Sequence, residues 1–231
     1  MLAHFQKDGG LLLSGVLSAD DLRPVEDLLL SEIRKRCPSA TGIQDPAWVE
    51  LAIERPDLVT EVYDAVRDHA LALEIGRLPR LREAVSELIE EPLLYHKIPL
   101  RIDVPFENKE LAFWHQDDFY VRGNSRELTI WIPLQDTLAH HGALSIMKGS
   151  HVNGPIAHSY QVGKKTLPVG IFDNPINIVE MRKGDALIFS SYLVHSSNLN
   201  ISNQIRYSIQ LRYSSARAGA QSTLMKGFSH V

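Results

Sequence analysis

Along the first ninety residues apolar side chains recur every three or four positions, the period of a helix with one buried face. Leu22, Val25, Leu28, Leu29 and Ile33 follow Ser18-Ala19-Asp20-Asp21, which has the form of an N-cap with an acidic first turn, and the run stops at the basic end near Arg36 and at Pro38. Asp45-Pro46-Ala47-Trp48 predicts a second, short helix reaching about Arg55, with proline in its first turn. Leu58, Val62, Val66, His69 and Leu73 predict a third from roughly Asp57 to Ile75. Leu81, Val85, Leu88 and Ile89 predict a fourth from about Pro79 to Glu90, ended by Pro92. None of the four gathers polar residues that could carry chemistry, so this layer reads as scaffold.

From Leu93 the texture changes to short β-branched and aromatic runs separated by Gly, Pro, Asn and Asp. Candidate strands are Leu93–Val104, Ala112–Trp114, Glu127–Leu134, Ala143–Met147, Ile176–Met181, Ala186–Phe189, Leu193–His195 and Ile205–Tyr213. Eight strands with long irregular links predict two packed antiparallel sheets, as in a jelly roll, so the fold class is mainly β with N-terminal helices, α+β in composition. Strands and helices do not alternate after residue 93, and Gly-rich phosphate loops are missing, which argues against a Rossmann-type sheet. With no repeat or linker, residues 1–231 read as a single domain: a helical layer 1–92, a jelly-roll core 93–213 and a C-terminal tail 214–231.

Composition narrows the partners. At 231 residues, 44% apolar and 23% charged, the chain resembles an average globular domain with a full core. The net charge of −4 supplies no positive field for nucleic acid or an anionic membrane, and the densest basic stretch, Arg34-Lys35-Arg36, is a helix end. Cys37 is the only cysteine, so neither an intramolecular disulfide nor a cysteine zinc cage can form. No basic leader with an apolar core opens the chain, and a cytoplasmic location is expected. A small molecule is the expected partner; nothing in the pattern sets the oligomeric state. Ten histidines against one cysteine direct attention to an imidazole and carboxylate metal site.

The sharpest cluster is Trp114-His115-Gln116-Asp117-Asp118. In an extended segment His115 and Asp117 would share a face while Gln116 points away. His195, at the end of the apolar run Ala186 to Val194, would sit at the mouth of a barrel and add a second imidazole. Two histidines and one carboxylate on one face suit non-haem iron(II) with open coordination positions. Arg206, eleven residues past His195 on an otherwise apolar strand, costs burial free energy unless it meets an anion, and its fork matches a carboxylate. Ser197 could offer a hydroxyl to the same anion.

Three segments together resemble the phytanoyl-CoA dioxygenase-like branch of the iron(II)- and 2-oxoglutarate-dependent oxygenases. They are Trp114 to Tyr120, Gly142-Ala143-Leu144-Ser145-Ile146-Met147-Lys148-Gly149-Ser150-His151, and Lys183-Gly184-Asp185-Ala186 through His195 to Arg206, within about residues 93–213. The resemblance implies a double-stranded β-helix, a cupin-like jelly roll, with iron held by His115, Asp117 and His195. It implies that Arg206 binds the distal carboxylate of 2-oxoglutarate, with Ser197 assisting, Trp131 beside the cosubstrate and Lys97 facing it from an early strand. No catalytic side chain is expected beyond the metal centre. Tyr120, Arg122 and His141 are the substrate-pocket candidates. Lys148 stands where the family commonly has proline, and His140-His141 where it has a more polar pair.

The function so implied is oxidation by O2, hydroxylation above all, of a small metabolite, in a biosynthetic pathway, with release of succinate and CO2. Asp117 favours this over halogenation, since halogenating relatives carry a small residue there. The lack of a basic cluster for the phosphates of a CoA ester points to a free metabolite. The helical layer and the Val152–Asp173 loop are expected to cover the site. Two other readings stand beside this one: a non-catalytic jelly-roll binding protein, and a cupin-like metal enzyme that does not use 2-oxoglutarate.

Overall fold

A computed structural model describes residues 1–67, 69–95, 100–107, 113–120, 124–161, 164–167, 172–218 and 228–230, and the statements below concern these residues. Six helices occupy the N-terminal part: α1 Leu2–Asp8, α2 Ala19–Arg34, α3 Pro46–Glu54, α4 Pro56–Val66, α5 Ala70–Gly76 and α6 Pro79–Ser86. The strands are β1 Gly10–Leu13, β2 Pro92–Tyr95, β3 Leu100–Asp103, β4 Leu128–Pro133, β5 Leu144–Met147, β6 Ser159–Gln161, β7 Lys164–Thr166, β8 Ile176–Val179, β9 Ala186–Ser190, β10 His195–Ser197, β11 Arg206–Ser215 and β12 Phe228–His230.

The major sheet runs β1-β9-β4-β11-β2-β12, with β3 also pairing with β11; a second sheet runs β10-β5-β8, and β6 and β7 form a separate hairpin. Every pairing is antiparallel. The two main sheets face each other as a jelly roll, the fold that the strand texture predicts.

Side-chain alternation along the major sheet sorts two cores. Leu128, Ile130 and Ile132 of β4, Ala186 and Ile188 of β9, and Tyr207, Ile209, Leu211 and Tyr213 of β11 pack with the helices in one cluster. Their neighbours Trp131, Leu187 and Phe189 turn the other way and pack with Leu144 and Ile146 of β5, Met181 and Leu193 inside the barrel. The helical layer therefore seals the outer face of the major sheet rather than the barrel mouth, contrary to the expectation that it covers the site. Two buried tyrosines of β11 fasten it there. The Tyr207 hydroxyl accepts from Trp48 Nε1 at 2.8 Å and donates to the Ile43 carbonyl at 3.1 Å, and the Tyr213 hydroxyl donates to the Gly76 carbonyl.

The helix signals of the sequence hold where caps are strong. Ser18 and Asp21 form a capping box on α2, and the Asp45 carboxylate accepts the Ala47 N–H at 3.0 Å. The single helix predicted over Asp57–Ile75 is two helices: Arg67 leaves the helical region (ψ 144°), and the His69 ring caps α5 by accepting the Leu71 N–H at 3.3 Å. The single strand predicted over Leu93–Val104 is also divided, because β2 pairs with Tyr213–Ser215 and β3 with Arg206–Ile209, two separate stretches of β11. Periodicity did not reveal α1, β1, the β6–β7 hairpin or β12. β1 lies within the nominally helical residues and extends the major sheet from β9, while β11 ends at Ser215 and β12 pairs with β2, so residues 214–215 and 228–230 take part in strand pairing within the stretch read as a tail.

Candidate functional site

His195 does not end the apolar strand, as the sequence suggests; it begins the next one. β9 stops at Ser190, a turn fixed by the Leu193 N–H to Ser190 carbonyl bond (2.8 Å) follows, and His195 opens β10 in the opposite sheet. There its backbone exchanges two hydrogen bonds with His115, at 2.9 and 3.0 Å. This mutual pair sets the two imidazoles side by side, centroids 4.2 Å apart. The strand expected over Ala112–Trp114 reduces, within the described residues, to this bridge at His115.

Asp117 also departs from the extended geometry assumed for it. The chain is extended at Gln116 and then enters a 3-10 turn, Asp117–Phe119, which carries the carboxylate inward beneath both rings. Asp117 Oδ1 lies 3.7 Å from His115 Nε2 and 3.8 Å from His195 Nε2, too far for hydrogen bonds and within the span of two ligand atoms each about 2.1 Å from a shared ion. Among the described residues this is the one group of three with ligand atoms mutually within 4.8 Å, and all three are buried.

Each imidazole is oriented for ligation. His115 Nδ1–H donates to the Phe113 carbonyl at 2.7 Å and His195 Nδ1–H to the Leu193 carbonyl at 2.9 Å, which leaves both Nε2 lone pairs facing Asp117. Burial, reinforced by the neighbouring His195, pushes His115 down to about 3, and burial likewise lowers His195, so both rings stay neutral at physiological pH. Burial alone would raise Asp117. The Arg212 guanidinium, the two histidines and the Thr129 hydroxyl outweigh it and hold the carboxylate at about 2. Neutral nitrogens and one anionic oxygen form the protonation state that a divalent metal requires.

Gln116 secures the loop that carries them. Its amide donates to the Gly154 and Tyr192 carbonyls, at 2.8 and 2.6 Å, and accepts the Ile156 N–H at 2.8 Å, tying residues 154–156 to the turn before His195. His151 works similarly on the far side, with Nε2 against the Gln6 carbonyl at 3.1 Å.

The inward face of β11 carries Arg206, Ser208, Gln210, Arg212 and Ser214 in alternation. Arg206 is buried, with its guanidinium carbon 5.9 Å from the Trp131 ring centre. The anion demanded by its burial is present in the chain: Asp103 Oδ2 of β3 lies 2.8 Å from Nη2 and 3.3 Å from Nε, and the Gly142 carbonyl accepts from Nη1. Six residues along, Arg212 forms an ion pair through Nη2 with Asp117 Oδ1 at 3.1 Å, while the Thr129 hydroxyl donates to Asp117 Oδ2 at 2.6 Å. Arg212 Nε and Nη1 and the Ser208 hydroxyl are buried without a hydrogen-bond partner. Buried donors are rarely left so, and these fit an interior that receives a polar, anionic ligand.

The structure thus brings together His115, Asp117 and His195, with Arg212 against Asp117, and sets Arg206 against Trp131 on the inward face of the major sheet. Ser197 lies two residues past His195 on the same strand face, paired with Leu144. Tyr120 stands half-exposed (53%) with its ring edge-on to His115 at 5.4 Å, on the open side of the site. His141 is held in its own loop, where its Nδ1 accepts the Leu138 N–H at 3.1 Å and its ring packs on His140. Lys97 and Arg122 lie outside the described residues. The sequence reading missed Asp103, Thr129, Gly142 and Arg212. The two-residue period from Arg206 would have singled out Arg212, since it predicts the same facing for both arginines.

Comparison with known proteins bears on the family and the fold. The family model described as phytanoyl-CoA dioxygenase matches residues 5–208. Among solved structures, the non-heme monooxygenase ThoJ in its apo form is 18% identical, with 96% of this chain and 79% of that chain covered and a TM-score of 0.71. The epimerase SnoN, solved in complex with Fe3+, alpha ketoglutarate and nogalamycin RO, is 21% identical over 96% of this chain and 85% of that one, with a TM-score of 0.62. EctD from S. alaskensis, solved with 2-oxoglutarate and 5-hydroxyectoine, is 17% identical over 95% and 77%, with a TM-score of 0.64.

Proposed function

The chain belongs to the phytanoyl-CoA dioxygenase family, and from that premise we propose that it is an iron(II)- and 2-oxoglutarate-dependent enzyme that hydroxylates or otherwise oxidises a small metabolite. The observation that carries this reading is the buried convergence of His115 Nε2, Asp117 Oδ1 and His195 Nε2 inside the barrel, beside two inward arginines. In this proposal those three residues would hold the iron and leave it room for cosubstrate, substrate and oxygen. Iron bound there would activate O2, coupling conversion of 2-oxoglutarate to succinate and CO2 with oxidation of the substrate.

The chain's own residues bind, orient and keep the interior dry. The two Nδ1–H bonds fix each imidazole's tautomer and angle. Thr129 holds Asp117 Oδ2, which leaves Oδ1, beside the Arg212 cation, as the ligand atom. Arg206 and Ser197 receive the distal carboxylate of the cosubstrate, and Trp131 forms one wall between them and the metal. Leu144, Ile146, Leu187, Phe189 and Leu193 exclude water from the rest of the interior. Tyr120, on the open side, is the described residue placed to meet a substrate, and a substrate without a CoA group fits the lack of a basic cluster. A cytosolic setting, which keeps iron ferrous, belongs to the same proposal.

Succinate release with Fe(II), ascorbate and 2-oxoglutarate, screened over a panel of free metabolites, tests the proposal. Substrate-stimulated succinate is expected, and its absence in an iron-loaded protein, with and without every metabolite, would contradict it.

A further inference from the structure

Arg212 raises a question that the proposed reaction leaves open. Its guanidinium spends Nη2 on Asp117 Oδ1, with a long contact of 3.4 Å to Gln210, while Nε and Nη1 remain buried and unpaired. Only 5% of the residue is exposed, so bulk solvent does not reach these donors. Leaving charged donors desolvated is costly, and a barrel that keeps them has a use for them.

Charge balance indicates that use. Arg206 is already neutralised by Asp103 at 2.8 Å, and the two form a buried, internally balanced pair. A divalent metal, the Asp117 carboxylate and a doubly ionised 2-oxo diacid then carry one net negative charge between them. In a dry interior such an excess is unfavourable. Arg212 is the buried cation beside the metal ligands that cancels it, and its contact with Asp117 Oδ1 places it along the rim of the coordination sphere.

We infer that Arg212 is a second anion-binding arginine of this site, and that its Nε–H and Nη1–H hold the carboxylate which the 2-oxo acid presents at the metal. Arg206 recognises the far end of the cosubstrate and Arg212 the reacting end. This inference rests on the function proposed above. A carboxylated substrate lying beside the metal would offer the same chemistry. The 2-oxo acid is the stronger assignment, because its keto and carboxylate oxygens fix that anion at the ion in every turnover.

Calorimetric titration of the Mn(II)-saturated protein separates the possibilities without turnover. The probes are 2-oxoglutarate, 2-oxobutyrate, which has the keto-acid end alone, and glutarate, which has no keto group. Arg212→Gln is expected to weaken both 2-oxo acids about ten-fold or more, where ten-fold corresponds to about 1.4 kcal/mol, and to leave glutarate unchanged. Arg206→Gln should weaken 2-oxoglutarate and spare 2-oxobutyrate. If Arg212→Gln does not fold or does not hold Mn(II), Arg212→Lys keeps the charge but lacks the fork, and a loss of about three-fold or more for both 2-oxo acids is expected. Wild-type affinity for the 2-oxo acids in the folded, metal-loaded variant overturns the inference, and a substrate carboxylate then becomes the remaining source. Failure of the wild-type protein to bind 2-oxoglutarate at all would instead remove the function on which the inference stands.

Discussion

Gly142 offers a test of the cosubstrate end that does not touch a charged group. Its φ is +80°, and a Cβ there would lie 2.8 Å from the Asn198 carbonyl oxygen and 3.1 Å from Arg206 Nη1, the same nitrogen that donates to the Gly142 carbonyl. Gly142→Ala therefore combines two effects. The left-handed backbone costs an alanine about 1 kcal/mol, and the close approach to a fixed carbonyl adds roughly another 1 to 2. For a chain of this length that total lowers the melting temperature by roughly 5 to 10 °C. Gly149 isolates the first effect, since it is left-handed (φ +79°, ψ −5°) and a Cβ would meet only ordinary contacts at 3.5 Å. Gly149→Ala should lose only about 1 kcal/mol and bind 2-oxoglutarate like the wild type. In Gly142→Ala the displaced guanidinium should weaken 2-oxoglutarate about ten-fold in a calorimetric titration of Mn(II)-loaded protein, with Mn(II) affinity retained. Equal cosubstrate affinity in the two variants would refute the placement of Arg206 at the distal carboxylate.

Further outcomes follow from the same geometry. His115→Ala, Asp117→Ala and His195→Ala should each abolish metal binding and turnover, and Asp117→Ala should also cost about 3 to 5 kcal/mol in chemical denaturation by stranding the Arg212 cation. Metal-free protein should lose stability as pH falls from 7 to 5.5. Both buried imidazoles have folded pKa values below the unfolded 6.5, so the unfolded chain takes up protons that the folded one refuses; His115, held at about 3, accounts for about 1 kcal/mol over that window, and His195 adds in the same direction. Asp117, already depressed to about 2, adds its loss only below the unfolded value of 3.8. A melting profile flat over that window, or one unchanged in a His115→Gln, His195→Gln double variant, would contradict the assignment. Tyr207→Phe, on the outer face, should cost about 1 to 2 kcal/mol by stripping Trp48 Nε1 of its acceptor while cosubstrate affinity stays unchanged.

The candidate metal set, and the arginine proposed beside it, were legible because they depend on local order along the chain and on strand type: His115 and Asp117 two residues apart, His195 next to a buried apolar run, Arg206 eleven beyond. Its geometry was not. The 3-10 turn at Asp117 is dictated by contacts far along the chain, the Asp118 N–H to Ser191 carbonyl bond at 3.1 Å among them, which no local pattern contains. Helices with capping signals were readable, as Ser18 and Asp45 show, whereas the break at His69 depends on one imidazole folding back on the Leu71 N–H. Short strands such as β1 owe their existence to a partner already in place, here Ala186–Phe189 of β9. Asp103 and Arg212 illustrate the same limit for charges. Each is an ordinary strand residue in sequence, and only the pairing of β11 with β3 and β4 shows that one neutralises Arg206 and the other faces Asp117.

The central claim concerns where iron and 2-oxoglutarate sit. An anaerobic crystal structure of the protein with Fe(II) and 2-oxoglutarate, phased at the iron absorption edge, addresses it most directly. The account predicts an anomalous peak shared by His115 Nε2, Asp117 Oδ1 and His195 Nε2, with the distal carboxylate of the cosubstrate on Arg206. Iron at any other position, or a cosubstrate that leaves Arg206 uncontacted, would contradict it.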